Sequence, residues 1–374
     1  MNKILSGLLN RDDGKAGFMP SVIAIVIGIA AGFMFLLATR PDAAVGGMSL
    51  VLTSGVSDMR SIGQTLFRAA PIMMLGLSFA FANKTGLFNI GGTGQFIMGS
   101  YAAIAVGVHW TFLPGHMHWI AAILAAMLAG ALWGAVPGLL KAVWNVNEVI
   151  ACIMTNYIAM YLVNFLVPRT VQGRMLSESA PVAATAVIPR MGLDNVFVTG
   201  VVRSHVHGGI IIGVVLAVLL YVLLQKTKFG YELKACGYNR EAARYAGISE
   251  RRCIVVSMLI AGGMAGIGGA FVYLQSTTMF FRIENFLPYQ GFMGIPIALL
   301  AMSNPIGVIF SAVFVAYLIE GGLQMQRFNI SPQLIDTIIA IIIYFSAFAL
   351  VFRKMLIAGA TKAAALFKPK EGGL

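Results

Sequence analysis

Residues 19–38 read MPSVIAIVIGIAAGFMFLLA, an apolar run without one charged side chain. A run of about 20 such residues is long enough to cross a bilayer as a helix. Inside hydrocarbon, only helices and closed barrels satisfy all their backbone hydrogen bonds. No other feature narrows the fold as much, and this one recurs. Comparable stretches lie near 61–82, 87–108, 119–140, 148–167, 207–225, 253–273, 289–302, 306–325 and 333–352. Together they predict an all-α integral membrane protein, a bundle of about ten transmembrane helices. Composition agrees: 59% of the residues are hydrophobic and 11% charged, and a soluble domain of 374 residues needs more charge to cover its surface.

Two stretches are irregular. The one near 61–82 carries Gln64 and Arg68, and the one near 289–302 is short and holds Gly291, Gly294 and Pro296, which suits a re-entrant or broken helix. The leader 1–18 is hydrophilic, with Lys3, Arg11, Asp12, Asp13 and Lys15. The run after it exceeds the about 7–15 residues of a signal-peptide core, so it reads as a retained first span. Lys and Arg set the orientation. With the N-terminus inside, inner segments hold 17 of the 26 basic residues and outer segments 8, with Arg68 inside a span. Both termini are therefore expected in the cytoplasm. The leader and a tail, 353–374, flank a single transmembrane domain, 19–352, with an external loop at 168–206 and a cytoplasmic loop at 226–252. The formal charge of +12 then reflects inner loops rather than nucleic-acid binding. Cys152, Cys236 and Cys253 fall in no outer segment, so no disulfide framework is expected.

The chain has no GxxxxGK[ST], hence no phosphate cradle of its own, and no HExxH, GxSxG or CxxC. Neither an enzyme nor a resident cofactor is expected. His116-Met117-His118 and His205-Val206-His207 lack Cys or carboxylate neighbours, so no metal site is expected. Gly28 with Gly32, and Gly262 with Gly266, have the GxxxG spacing that lets helix backbones approach in lipid.

Ionisable and amide side chains within spans are functional candidates, because burying them in lipid is costly. Glu320 falls about 22 Å along its span from Pro305, at about 1.5 Å per residue. It either contacts a solute hydroxyl or pairs with a helix neighbour such as Arg68. Asn156 and Asn164 share a helix face and either line a path or bridge helices. Glu148 begins its span as a cap. Residues 86–95, GLFNIGGTGQ, interrupt the apolar pattern without a lysine. They form either a tight turn or part of a solute path. Asn89 and Gln95 are assigned to the path, and Gly91, Gly92 and Gly94 to packing. Phe88, Tyr157, Tyr289 and Phe292 either stack on a ligand ring or simply pack.

The inner loop contains YELKACGYNREAARYAGISERR, Tyr231 to Arg252. Asn239 suits a helix start, Arg240 to Ala246 are good helix formers, and Gly247 suits the stop. A helix of about two turns is marginal alone in water. Its Ala242, Ala243, Tyr245, Ala246 and Ile248 form an apolar side that lies either on the membrane surface or against a partner.

This loop, continuing into SMLIAGGMAGIGGA, resembles the coupling loop of ABC-transporter permeases. GLFNIGGTGQ, the run Asn147-Glu148-Val149-Ile150 with Ile153-Met154 and Asn156-Tyr157, and GFMGIPIALLAMSNPIGV resemble motifs of the simple sugar/nucleoside (branched-chain-type) importer branch. Within that branch the chain is most like the larger nucleoside permease subunit. Thr93 stands where many relatives have Glu, which bears on ligand identity. Pro296-Ile297 stands where Ala-Val is usual, which bears on a helix break.

The resemblance implies a permease subunit of an ATP-driven importer in a bacterial inner membrane. It implies ATPase subunits that hold ATP and Mg²⁺, a second permease subunit in a homodimer or heterodimer, and an extracytoplasmic substrate-binding protein. Asn239, Glu241, Ala242, Ala243 and Gly247 are then the coupling residues, and Asn89, Gln95, Asn156 and Glu320 the candidates for the solute path. The solute is a nucleoside or related sugar-bearing compound, with ribose or another monosaccharide as the alternative. An ion-driven secondary transporter would show inverted repeats and clustered carboxylates, and neither is evident here.

Overall fold

A computed structural model of the chain describes residues 19–175 and 177–348. They divide into two compact units, residues 19–50 with 322–348, and Val51–Gly321. The leader 1–18, the tail 353–374 and positions 349–352 of the last predicted span lie outside the described residues. In chain order the helices are α1 (Met19–Thr39), α2 (Ala44–Thr53), α3 (Met59–Lys84), α4 (Gly92–His109), α5 (Gly115–Trp144), α6 (Glu148–Thr170), α7 (Leu193–Val196), α8 (Gly209–Lys226), α9 (Lys228–Tyr238), α10 (Arg240–Tyr245), α11 (Glu250–Tyr273), α12 (Gln290–Leu300), α13 (Pro305–Gln324) and α14 (Pro332–Ala347). A small hairpin, β1 (Val198–Thr199) and β2 (Val202–Arg203), is antiparallel.

Each of the ten predicted spans coincides with a helix. Six helices are long and apolar enough to cross a membrane: α3, α5, α6, α8, α11 and α13 with the turn after it. The apolar parts of α1, α12 and α14 are shorter. The first turn of α4 carries Thr93 and Gln95 among glycines, which lowers its apolarity. The uncertain segment near 61–82 is one continuous helix of 26 residues that runs through Pro71. The segment near 289–302 is a helix of 11 residues through Pro296. At about 1.5 Å per residue it falls short of the about 30 Å hydrocarbon core.

Three helices are absent from the sequence reading: α2, α9 and the single turn α7. α2 contains Gly46-Gly47, a pair that reads as a loop. Phe328 fills the space beside Gly46, and Met325 and Ile330 that beside Gly47, so packing overrides propensity. α9 is polar. Its first turn is capped by Thr227 Oγ1, which accepts the Gly230 N–H at 3.0 Å, and Gly230 lies against the Leu223 and Leu224 backbone.

In the first unit α1 packs on α14, and Gly28 and Gly32 face Ile342. In the second, α3 and α11 are the interior helices, with 78% of their most apolar windows buried, against 28% for α5 and 33% for α8. Leu124, Leu128, Leu132, Val136, Leu139 and Val143 form an exposed stripe on α5, a face that suits lipid. The interior contact is backbone to backbone. Gly266 touches Ala126 and Gly130 of α5, and Gly99 of α4 approaches Gly266 so closely that a Cβ would overlap its Cα. The loop 168–206 folds back along the ends of these helices: Ala183 N–H donates to Gly107 O at 2.9 Å and Ile188 N–H to Leu274 O at 2.9 Å.

This seam predicts a sharp contrast between glycines. Gly99→Leu is expected to destabilise the detergent-solubilised protein by about 3 kcal/mol, the upper range for overpacking. Gly92→Ala is expected to be nearly neutral, because its nearest neighbour to a Cβ is Gly291 O at 3.7 Å. Thermal unfolding of both variants measures the difference.

Candidate functional site

The turn between α3 and α4 is closed by three amides. Asn89 Nδ2 donates to Gln95 Oε1 at 2.9 Å and Gln95 Nε2 returns a bond to Asn89 Oδ1 at 3.1 Å. Asn89 Nδ2 also reaches Ser78 Oγ at 3.3 Å. From α6, Asn156 Oδ1 accepts the Gly94 N–H at 2.8 Å and its Nδ2 donates to Ile90 O at 3.1 Å. All three side chains are buried, at 3%, 1% and 1% exposure. The sequence assigned Asn89 and Gln95 to a solute path and left Asn156 between a path and a helix bridge. In the structure they meet one another and the chain's own backbone, and none lines either cavity described below. Gly94 lies against the Asn156 backbone, whereas Gly92 has space beside it. Asn164 Nδ2 donates to Glu284 O at 2.9 Å, a bridge to another segment.

The α9–α10 elbow stands at the same end of this unit. Asn239 ends α9 and begins α10: its N–H bonds Ala235 O at 3.1 Å, and its Oδ1 accepts the Ala242 N–H at 3.0 Å. α10 stops one residue before the expected Ala246. Gly247 takes φ +78° and donates to Arg244 O at 3.0 Å, while Ile248 N–H reaches Ala243 O at 3.0 Å. This is a Schellman stop, and its left-handed position favours glycine. Only Ala243 of α10 is buried. Tyr238 and Tyr245 are 90% and 93% exposed. Between the two helices lies a groove of about 460 Å³ lined by Tyr231, Tyr238, Ala242, Ala246, Gly247 and Ile248, among others. Glu241 is an exposed carboxylate in the first turn.

Back along α3, sixteen residues before Lys84, Arg68 Nε bonds Glu320 Oε2 of α13 at 2.5 Å. Of the two expectations for Glu320, the structure shows the ion pair with Arg68. Arg68 lines a cavity of about 100 Å³ with Phe67, Phe271, Gln275, Tyr289 and Gln290, among others. In its lining, Gln275 Oε1 is buried with no hydrogen-bond partner among the described residues. The Phe67 ring is 6.0 Å from His205 and 5.6 Å from His207, and Phe271 is 6.1 Å from His207.

His118 spends both ring nitrogens, on Thr185 Oγ1 at 2.8 Å and Val106 O at 3.0 Å. Among the described residues no group of three or more His, Cys, Asp or Glu is placed to hold a metal. Sequence reasoning missed Phe67, Gln275 and Gln290, whose types are ordinary in a span and carry no motif. It also missed Asn83 and Ser303, which meet only in the fold.

Residues 61–347 match the family described as branched-chain amino acid transport system / permease component. The chain is 35% identical over 327 residues to the guanosine ABC transporter permease protein NupP of Bacillus subtilis (strain 168), covering 87% of this chain and 92% of that one. It is 32% identical over 339 residues to the nucleoside ABC transporter permease protein NupB of Lactococcus lactis subsp. cremoris (strain MG1363), covering 90% and 92%. It is 31% identical over 328 residues to the glucose ABC transporter permease protein TsgB13 of Haloferax volcanii, covering 87% and 85%.

Asn89→Ala strands the Gln95 amide in a dry site and is expected to cost about 1–3 kcal/mol, read as a lower unfolding midpoint. His205 adds a pH dependence. Burial first, then Arg190, Arg60 and Arg68, lower its pKa. Below about pH 6.5, the ordinary imidazole value, the unfolded chain takes up this proton more readily than the folded one, so stability falls as pH drops. Unfolding midpoints at about pH 7.5 and about pH 5 are expected to converge in His205→Gln relative to the parent.

Proposed function

The chain belongs to the family of branched-chain amino acid transport system permease components, and from that premise we propose that it is the membrane subunit of an ATP-driven importer for nucleosides. The observation that carries the reading is the elbow. A capped helix of six residues presents Ala242, Tyr245 and Ala246 outward beside a groove. Such a surface calls for a protein partner, and the chain has no nucleotide-binding motif of its own. The partner is an ABC ATPase that holds ATP and Mg²⁺. Asn239, Glu241, Ala242, Ala243 and Gly247 form the docking surface that passes its closure to the spans.

In this reading both termini and the elbow face the cytoplasm of a bacterial inner membrane. Ten helices enter the bilayer, α12 as a half-span. A second permease subunit completes the pore and an extracytoplasmic binding protein delivers the solute. Among the four polar path candidates, Glu320 holds Arg68 at the cavity that would receive the solute, where Phe67 and Tyr289 offer ring faces and Gln275 and Gln290 amides. Asn89, Gln95 and Asn156 hold the α3–α4 turn in place beside that path. The similarity to a glucose permease of Haloferax volcanii supports a second reading, a monosaccharide importer of the same architecture.

Reconstitution with the ATPase and binding protein tests both readings. Guanosine is expected to be taken up only with the ATPase present, and excess ribose or glucose is expected not to compete. Gly247→Val, which forces a β-branched residue into the left-handed region, and Glu241→Lys are each expected to abolish uptake while the protein still inserts. Uptake surviving both changes would refute the coupling assignment.

A further inference from the structure

The last residues of α3 touch two elements at once. On one side is the elbow. Arg240 Nη2 of α10 donates to Gly86 O at 3.3 Å. Gly237 of α9 lies so close that a Cβ would overlap Lys84 O, and Gly86, at φ +71°, has Gly237 O 3.1 Å from where its own Cβ would be. On the other side is the α12–α13 turn. Asn83 Nδ2 donates to Ser303 Oγ at 2.7 Å and Lys84 Nζ to Met302 O at 3.3 Å. Thr85 Oγ1 shares a hydrogen bond with Ser257 Oγ of α11 at 2.8 Å, so the junction is anchored to an interior helix as well.

The turn itself is unusual. Met302 and Ser303 are consecutive non-glycine residues at φ +51° and +54°, each in a left-handed conformation that L-residues with a side chain adopt at a cost. Surrounding bonds hold it: Ser303 N–H to Ala298 O at 2.8 Å and Asn304 N–H to Ala301 O at 3.0 Å, with Asn304 Oδ1 accepting the Ile306 N–H at 3.0 Å at the start of α13. The helices joined there lead to the cavity at the other end of the unit. α12 begins at Gln290, which lines it, α13 carries Ile319 and Glu320, and α3 carries Arg68. Side chains from a neighbouring helix thus hold the turn in a conformation that costs strain.

We propose that Asn83 and Lys84 clamp the Met302–Ser303 turn as positioning residues that relay movement of the α9–α10 elbow to α12 and α13, and so to the solute cavity. The inference rests on the permease reading and adds to it a second station of the coupling route.

The test is made on the full importer in liposomes, with guanosine as solute and with uptake and ATP hydrolysis read from the same samples. Ser303→Gly is the decisive variant. Glycine accepts φ +54° without strain, so the unfolding midpoint is expected to be unchanged or higher. With the hydroxyl gone, guanosine carried per ATP hydrolysed is expected to fall about tenfold, the effect of losing one hydrogen bond of ordinary net strength. Asn83→Ala is expected to match it. The exchanged pair, Asn83→Ser with Ser303→Asn, is expected to restore the ratio, since asparagine tolerates the left-handed region. An unchanged ratio in both single variants would overturn the relay. A parent protein that neither recruits the ATPase nor takes up guanosine would overturn the permease reading, and the relay with it.

Discussion

A buried backbone has no water to bond, so a chain that interrupts a helix inside protein must find partners within itself. The segment between α3 and α4 is organised by this constraint. Six residues after Thr85 leave helical geometry, and their exposed backbone groups and amides are matched by Asn89, Gln95 and Asn156. Because Asn156 comes from α6, closing the turn also docks a third helix. The glycine approach of α4 to α11 and of α11 to α5 follows, since the turn sets where α4 begins and which face it presents.

α3 then takes a particular mechanical position. It is 26 residues long, about 38 Å at about 1.5 Å per residue, and runs from the cavity end to the elbow end of its unit. Arg68, about a third of the way along, is paired with Glu320, and Asn83–Gly86 at the far end meet both the elbow and the α12–α13 turn. It is buried along most of its length and carries Pro71 between Arg68 and Asn83, the position at which such a helix bends. The two candidate sites therefore lie on one element.

Much of this was legible in the residues, for identifiable reasons. Spans were visible because lipid demands long apolar helices, and the α10 limits because Asn239 and Gly247 carry capping chemistry in their own side chain and backbone. The glycine pairs Gly28/Gly32 and Gly262/Gly266 announced close helix contacts. α2 was not visible, because its helix depends on Phe328, Met325 and Ile330 filling the space beside Gly46 and Gly47. Nor was the role of Asn89 and Gln95: an amide in a span looks the same whether it awaits a solute or a neighbouring amide.

By itself the sequence determined that the chain is a helical membrane protein with a short capped helix in its long basic loop. Periodicity, length and capping are local properties, and local properties are written in order along the chain. The tertiary structure alone decided which polar groups pair. Arg68 with Glu320, Asn83 with Ser303 and Gln95 with Asn89 are choices among partners that sequence spacing does not rank. The physical reason is that a buried polar group is settled by whatever lies within about 3 Å of it, and for groups on different helices that distance exists only once the helices have packed.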